Sequence, residues 1–183
     1  MADTLALFPD LAAAAPVAGL RYEEGVLSSE AQAGFLDWVP SLALTAFDFR
    51  GFKGARRIAS FGSRYDFTQS RVRPAEPLPE ALMPMRGAAA AFAGLPETAL
   101  AQALVTEYAP GAGIGWHRDR PEYGQVVGLS FVSECVLRFR RPEDGGWRRA
   151  AQILRPGSTF SSTDPPATPG STASFRARRF AIL

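Results

Sequence analysis

The chain has 183 residues, of which 46% are hydrophobic and 21% charged, a composition typical of one globular domain and not of a disordered, fibrous or disulfide-stapled protein. A net charge of +2 excludes a strong, unselective polyanion binder, and the single cysteine, Cys135, indicates a reducing compartment. The single histidine, His117, excludes sites that need two. The 20 basic residues are nineteen arginines and one lysine, Lys53, an excess that we attribute mostly to a GC-rich gene, apart from a cluster between Arg50 and Arg73.

The N-terminal part, residues 1–46, predicts a strand followed by a helix. Leu20 to Val26 is typical of a short strand, and the helix after it begins at a serine cap, Ser28 or Ser29, and ends at Pro40. The first residues lack the basic start of a secretory signal, and no segment reaches the ~20 apolar residues of a membrane span. We therefore expect a cytoplasmic monomer that does not contact membranes.

Hairpins are predicted next, because residues 47–67 alternate aromatic and polar positions around glycines. A helix is expected from about Met85 to Ala93. Residues 99–108 run into a strand, and the second half continues with short strand-like runs at 126–132, 135–141 and 149–157. Helices followed by short strands predict an α+β protein with a mainly β core.

The last segment departs from this pattern. Residues 158–177 are rich in serine, threonine and proline and have almost no apolar periodicity. By composition they predict a solvated tail, where a β-rich domain would be expected to place its final core strands.

His117 and Asp119 are the residues with the clearest chemistry. They lie two positions apart, so on an extended segment both side chains point to the same face. An imidazole and a carboxylate on one face are two of the three ligands in the facial triad that binds non-haem Fe(II). A histidine beside a carboxylate is also a common structural hydrogen bond, and the spacing alone leaves both interpretations open.

Several spaced segments around this pair occur in a distinctive order. They are Arg56 to Tyr65, Thr106-Glu-Tyr108, Pro110-Gly111, Ile114-Gly-Trp-His-Arg-Asp119 and Val127-Gly-Leu-Ser-Phe131. In this order they resemble the AlkB-like family of Fe(II)/2-oxoglutarate dioxygenases, over roughly residues 5–157.

The resemblance implies a double-stranded β-helix (jelly roll) with N-terminal supporting helices and a nucleotide-recognition hairpin region. It predicts a single domain of 1–183, in which 1–46 is the N-terminal strand and helix, 47–75 the substrate-covering hairpins, 100–157 the core and 158–183 an atypical tail. The implied activity is oxidative dealkylation of nucleic-acid bases, in DNA or RNA, with Fe(II) as cofactor and 2-oxoglutarate and O2 as co-substrates.

The same resemblance implies roles for individual residues. Iron would be bound by His117 and Asp119. The co-substrate would be bound by Tyr108, by Thr106, where the family usually has asparagine, and by Arg179. The substrate would be bound by Arg57, Phe61, Tyr65, Trp116 and Glu122. Without the resemblance, Phe61, Tyr65 and Phe67 would be interpreted as core aromatics.

The chain lacks the second histidine that is the family's third iron ligand. Aligning Arg179 with the family's co-substrate arginine puts Gly170 at the ligand position. The triad is therefore incomplete, and the alternatives are a non-catalytic nucleic-acid-binding remnant of the same fold, or a structural domain in which the His117–Asp119 pair only stabilises a turn.

The unusual tail suggests a cause. Codons for Thr163 to Ser174 can be chosen so that the frame starting on the third base of the first codon reads Gly-Pro-Ala-Arg-His-Ala-Trp-Glu-His-Ser-Ile. This matches the family pattern of Gly-x-Ala-Arg, two residues, then Trp-x-His-Ser-Ile. We hypothesise that the chain from about Pro156–Ser161 onward is a frameshifted reading, and we expect such a tail not to form the missing strands.

Overall fold

The computed structural model describes residues 19–49, 52–66, 69, 71–117, 119, 125–162, 172–176 and 180–182. Its helices are α1 (Ser29–Trp38) and α2 (Met83–Ala93). Its strands are β1 (Leu20–Glu23), β2 (Thr45–Phe49), β3 (Phe52–Phe61), β4 (Ser63–Asp66), β5 (Arg71–Pro74), β6 (Ala103–Tyr108), β7 (Gly113–His117), β8 (Val126–Ser130), β9 (Cys135–Glu143), β10 (Gly146–Leu154), β11 (Thr159–Ser162), β12 (Thr172–Arg176) and β13 (Phe180–Ile182).

Both predicted helices are present. Ser28 caps α1 by accepting a hydrogen bond from the backbone N–H of Ala31 at 3.1 Å, as the sequence predicted. The inner face of α1 places Phe35 in a stack with Phe131, with ring centroids 4.3 Å apart. None of the helices in the described residues is long and apolar enough to cross a membrane.

The strands form two large antiparallel sheets, which confirms the predicted jelly roll. The larger sheet has seven strands in the order β1-β11-β8-β13-β6-β3-β2, and the smaller has four in the order β10-β9-β12-β7. The predicted hairpins are also present, as β2–β3 within the larger sheet and β4–β5 as a separate two-stranded unit.

The larger sheet separates two apolar cores. Because side chains alternate along a strand, β6 directs Ala103 and Val105 towards the helices, and Thr106 and Tyr108 into the space between the sheets. The helix-side core includes Phe35, and the core between the sheets includes Cys135, Leu137, Leu154 and Phe160. The inward side chains of both sheets thus line one interior.

Close packing on the inner face of the larger sheet requires a glycine on β8. Gly128 is the register partner of Phe160, and a Cβ on Gly128 would lie 2.2 Å from the Phe160 ring. A second glycine, Gly62, joins β3 to β4 with a φ of +76°, and a Cβ there would lie 2.0 Å from the carbonyl oxygen of Ala101.

The prediction of a solvated tail over residues 158–177 is wrong for two segments, and the expectation that the chain after about Pro156–Ser161 forms no strands is wrong for a third, Phe180–Ile182. Thr159–Ser162 is β11, which pairs with β1 and β8. The backbone of Thr172–Arg176 pairs with β7 and β9, and that of Phe180–Ile182 with β6 and β8. These segments therefore form strands within both sheets, where we expected an out-of-frame sequence to form none. Backbone N–H and C=O groups can form the hydrogen bonds of a β-sheet with any side chain, and threonine and phenylalanine favour strands. A segment without apolar periodicity can therefore still pair as a strand.

Candidate functional site

A bulge in β7 decides which way the predicted iron-binding histidine points. His117 is the register partner of Ala173, whereas Ile114 is the partner of Phe175, so a step of three residues on β7 opposes a step of two on β12. Ile114 packs against the core between the sheets. Strict alternation would place Trp116 on the same inner face as Ile114 and His117 on the outer face. Because of the bulge, His117 points inward and Trp116 points outward.

His117 is oriented by its own chain. Its Nδ1 lies 3.0 Å from the carbonyl oxygen of Gly115, and its Nε2 lies 3.5 Å from Oδ1 of Asp119. A carbonyl oxygen only accepts, so Nδ1 carries the proton and the lone pair of Nε2 faces the carboxylate. Two metal ligands at a right angle, with bonds of about 2.1 Å, lie roughly 3 Å apart. The pair therefore suits two adjacent positions on one cation, with the Gly115 carbonyl fixing the ring as an outer partner does in metal sites.

The electrostatics of the pair favour a positive charge between its members. Burial lowers the pKa of His117, but the hydrogen bond to Asp119, the Gly115 carbonyl and the Asp119 charge outweigh it, so that the pKa lies above its ordinary value. The positive charge of Arg56 acts in the opposite direction and lowers the pKa of His117 slightly. A proton or a metal cation would satisfy the facing lone pairs.

Arg56 and Tyr108 form the next part of the interior. They are register partners on β3 and β6, and Nη1 of Arg56 donates to the phenol oxygen of Tyr108 at 3.2 Å. The Arg56 guanidinium also lies 4.0 Å above the centre of the Phe47 ring. Tyr108 is 1% exposed, and its burial raises the pKa of the phenol more than the Arg56 charge lowers it. The phenol therefore stays protonated at neutral pH.

Two buried hydroxyls extend this polar surface. Thr106 and Ser130 are both register partners of Phe180 in the central strand β13, so they share the inner face. Within the described part of the chain, neither hydroxyl has a hydrogen-bond partner. Because unpaired buried hydroxyls are costly, their presence beside Tyr108 suits a polar ligand in this interior.

The donor set for a metal is one ligand short. Among the described residues, no group of three or more histidine, cysteine, aspartate or glutamate side chains is placed to hold an ion. Gly170, Arg179 and Glu122 lie outside the described residues. Among the described residues, His117 and Asp119 therefore supply two of the three ligands of the facial triad.

Two of the described residues that were predicted to bind substrate face away from this site. Arg57 pairs with Glu107 at 2.7 Å, on the face of β3 opposite to Arg56. Phe61 packs on the helix-side core, with its ring centroid 6.0 Å from that of Trp38.

The other two described candidates also lie elsewhere. Tyr65 is half-buried in the β4–β5 hairpin, where its register partner is Val72. The ring of Trp116 stacks on the guanidinium of Arg140, on the outer face of the smaller sheet. The structure thus places Tyr108 and His117 on inner faces with Arg56, whereas Arg57, Phe61 and Trp116 lie on other faces of their sheets.

Sequence reasoning missed Arg56 and Ser130. The signal for Arg56 was the alternation in β3, since Ala59 and Phe61 share a side with Arg57 and leave Ile58 and Arg56 on the other. Ser130 lies in the segment Val127-Gly-Leu-Ser-Phe131 that carries the resemblance, but no role was predicted for it; its inward position follows from Leu129 packing on the helix side.

Comparisons with known proteins agree with this fold. A family model described as the 2OG-Fe(II) oxygenase superfamily matches residues 26–162. The solved structure of OsALKBH1 is similar to this chain with a TM-score of 0.62 and 14% sequence identity, and the match covers 90% of this chain and 95% of that one. None of the curated proteins matches. The fold predicted from the AlkB-like resemblance is therefore confirmed.

Proposed function

The chain belongs to the 2OG-Fe(II) oxygenase superfamily, and from this premise we propose that it removes alkyl groups oxidatively from nucleic-acid bases in DNA or RNA. The inward His117–Asp119 pair beside a polar interior is the observation that carries the proposal. When bound, Fe(II), 2-oxoglutarate and O2 supply the oxidising chemistry of such an enzyme, and the protein supplies orientation and shelter from water. We further propose that it acts as a cytoplasmic monomer.

The interior residues would hold the co-substrate. A carboxylate of 2-oxoglutarate would take charge-assisted hydrogen bonds from Arg56 and the protonated phenol of Tyr108. The hydroxyls of Thr106 and Ser130, which have no hydrogen-bond partner among the described residues, would donate to the same ligand. Arg179, to which the resemblance assigns this role, lies outside the described residues, whereas Arg56 is already turned inward.

The nucleic-acid part of the proposal is supported by two features. The AlkB-like resemblance includes the segment Arg56 to Tyr65, and the fold is similar to that of OsALKBH1. The β4–β5 hairpin exposes Arg64 and Arg71, which suit contact with phosphates, while Tyr65 offers a ring for stacking on a base.

A second candidate function is a nucleic-acid-binding protein that has lost catalysis. The missing third donor among the described residues favours it, because two protein ligands hold a divalent cation more weakly than three.

Succinate formation from 2-oxoglutarate in the presence of Fe(II) separates the two functions. The enzyme predicts turnover that is abolished in Asp119→Ala and in His117→Ala, and retained in Asp144→Ala, which removes an exposed carboxylate from the β9–β10 turn. Formaldehyde release from a methylated oligonucleotide then tests the substrate class. No succinate from wild type at saturating Fe(II), with oligonucleotide binding retained, would favour the non-catalytic protein.

A further inference from the structure

Phe47 lies opposite a bulge in the strand that carries Arg56. On either side of Phe47, the β2–β3 pairing has two register pairs that are two residues apart on β2 and four apart on β3. Residues 54–56 of β3 therefore oppose Phe47 alone, which makes the bulge two residues larger than regular pairing would allow. Because bulges redirect side chains, the place where Arg56 leaves the strand depends on this local geometry.

The aromatic ring of Phe47 lies against the guanidinium of Arg56. The guanidinium carbon is 4.0 Å from the ring centre, well inside the ~6 Å over which a ring attracts a cation. The ring is itself confined by the bulge, since a Cβ on Gly54 would lie 3.5 Å from Cδ1 of Phe47. On its other contact, Nη1 of Arg56 donates to the phenol oxygen of Tyr108 at 3.2 Å. A ring and a hydroxyl thus fix the direction of this guanidinium.

Both of these partners of Arg56 are uncharged. Among the described side chains, none of the ion pairs includes Arg56, whereas its neighbour Arg57 pairs with Glu107 at 2.7 Å. An aromatic ring orients a guanidinium without neutralising it, so the positive charge of Arg56 remains for an anionic ligand. A side chain that is ordered before the ligand arrives also loses less rotamer freedom on binding, which raises affinity.

We propose that Phe47 is a positioning residue, which holds Arg56 in the orientation that binds a carboxylate of 2-oxoglutarate. This inference rests on the proposed function, and adds to it a residue that acts through Arg56 and needs no contact with the ligand. An aliphatic side chain at position 47 would fill similar space but would not attract the guanidinium. The contribution of Phe47 should therefore appear in the affinity for 2-oxoglutarate as well as in stability.

Calorimetric titration of 2-oxoglutarate into protein with Fe(II), in the absence of O2, tests the proposal. Phe47→Leu should raise the Kd roughly 3- to 30-fold, the range expected for a cation–π contact. Phe47→Tyr should stay close to wild type because a ring remains. Phe47→Ile is a second variant without a ring, and its branched side chain favours strands. In an Arg56→Gln background, Phe47→Leu should cause almost no further loss, because its effect passes through the guanidinium.

A measurement without ligand tests the contact itself. The Nε–H resonance of Arg56 can be identified by its absence in Arg56→Gln, and the ring current of Phe47 should displace it. Phe47→Leu should remove that displacement, and Phe47→Tyr should retain it. An Arg56 resonance that is the same in wild type and in folded Phe47→Leu would overturn the positioning role whether or not 2-oxoglutarate binds.

Phe92→Leu is the matched control, because it removes a ring that lies 4.4 Å from another guanidinium, that of Arg21, on the helix side of the larger sheet. It should lower the melting temperature and leave the Kd for 2-oxoglutarate unchanged. Wild-type affinity in Phe47→Leu and Phe47→Ile, or losses that add fully to that of Arg56→Gln, would overturn the positioning role and leave the proposed function standing. Wild type that binds no 2-oxoglutarate would instead contradict the proposed function, and with it the ligand assigned to Arg56.

Discussion

Arg56 and Tyr108 face each other across the β3–β6 pairing, and the guanidinium donates to the phenol oxygen over 3.2 Å inside the jelly roll. Arginine has no acceptor, so the tyrosine oxygen accepts this bond and the phenol proton is what Tyr108 can donate to a ligand. One charged and one neutral donor are thereby fixed on neighbouring strands, in a geometry that suits a carboxylate.

Arg56→Gln should raise the Kd for 2-oxoglutarate about 10- to 150-fold, because a hydrogen bond to a charged group contributes about 1.5–3 kcal/mol. The measurement is the shift in melting temperature against 2-oxoglutarate concentration, checked by calorimetric titration. Arg57→Gln is the matched control, since Arg57 pairs with Glu107 on the opposite face of the same strand. Equal losses in the two variants would show that the effect is not local to the interior.

The contrast between these two arginines shows what sequence could and could not establish. The fold class and both helices were predictable from spacing and resemblance. Which of two adjacent arginines faces the site follows from the alternation of the residues around them, with Ala59 and Phe61 on the side of Arg57, and the run of basic residues alone does not indicate it.

The same limit applies at the bulge and in the tail. Trp116 and His117 exchange faces because β7 carries one extra residue between Ile114 and His117. No feature of the amino-acid sequence indicates this bulge. The C-terminal segments pair as strands because unpaired backbone groups in a sheet are costly, although the composition of residues 158–177 predicted no strand.

The imidazole of His117 should titrate above the ordinary histidine value in metal-free protein. Burial lowers the pKa of His117, but the hydrogen bond and charge of Asp119, together with the Gly115 carbonyl, raise it by a larger amount. Asp119→Asn should therefore lower the pKa of His117. The pKa of His117 is higher in the folded protein than in the unfolded chain, so the His117–Asp119 interaction stabilises the fold. This stabilisation is complete below the unfolded-state pKa and is lost as pH rises through the folded-state pKa. As the chain has one histidine, its proton NMR resonances need no assignment by mutation. An unchanged pKa in Asp119→Asn would contradict this geometry.

Gly128→Ala should destabilise the fold by about 1–3 kcal/mol, because the added methyl would lie 2.2 Å from the Phe160 ring. The melting temperature should fall by roughly 2–12 °C for a chain of this size. Gly34→Ala is the control within α1, where no atom lies within 4 Å of the added Cβ, and it should stabilise by about 0.5–1 kcal/mol. Adding Phe160→Leu to Gly128→Ala should cost less than the sum of the two single changes.

The thiol of Cys135 should be unreactive in the native protein. It is 4% exposed in the core between the sheets, and burial raises its pKa well above the usual thiol range, so almost no thiolate forms at neutral pH. Labelling by a disulfide reagent should be slower than in denaturant by roughly 10³-fold or more, because it requires opening of the core. Rapid labelling of folded protein would place Cys135 outside that core.

The gene should encode a family-like C-terminus in another frame. The family model matches as far as Ser162, one residue before the stretch from Thr163 to Ser174 in which a shifted reading can give Trp-x-His-Ser-Ile. The first two bases of most codons are fixed by the protein, so the nucleotide sequence tests this directly. A chain expressed in the shifted frame should gain a third metal ligand and bind Fe(II) more tightly than this chain, measured by competition with a chelating dye. Finding no histidine codon in that frame, or equal Fe(II) affinity in the two chains, would exclude the frameshift as the reason that His117 and Asp119 lack a third partner.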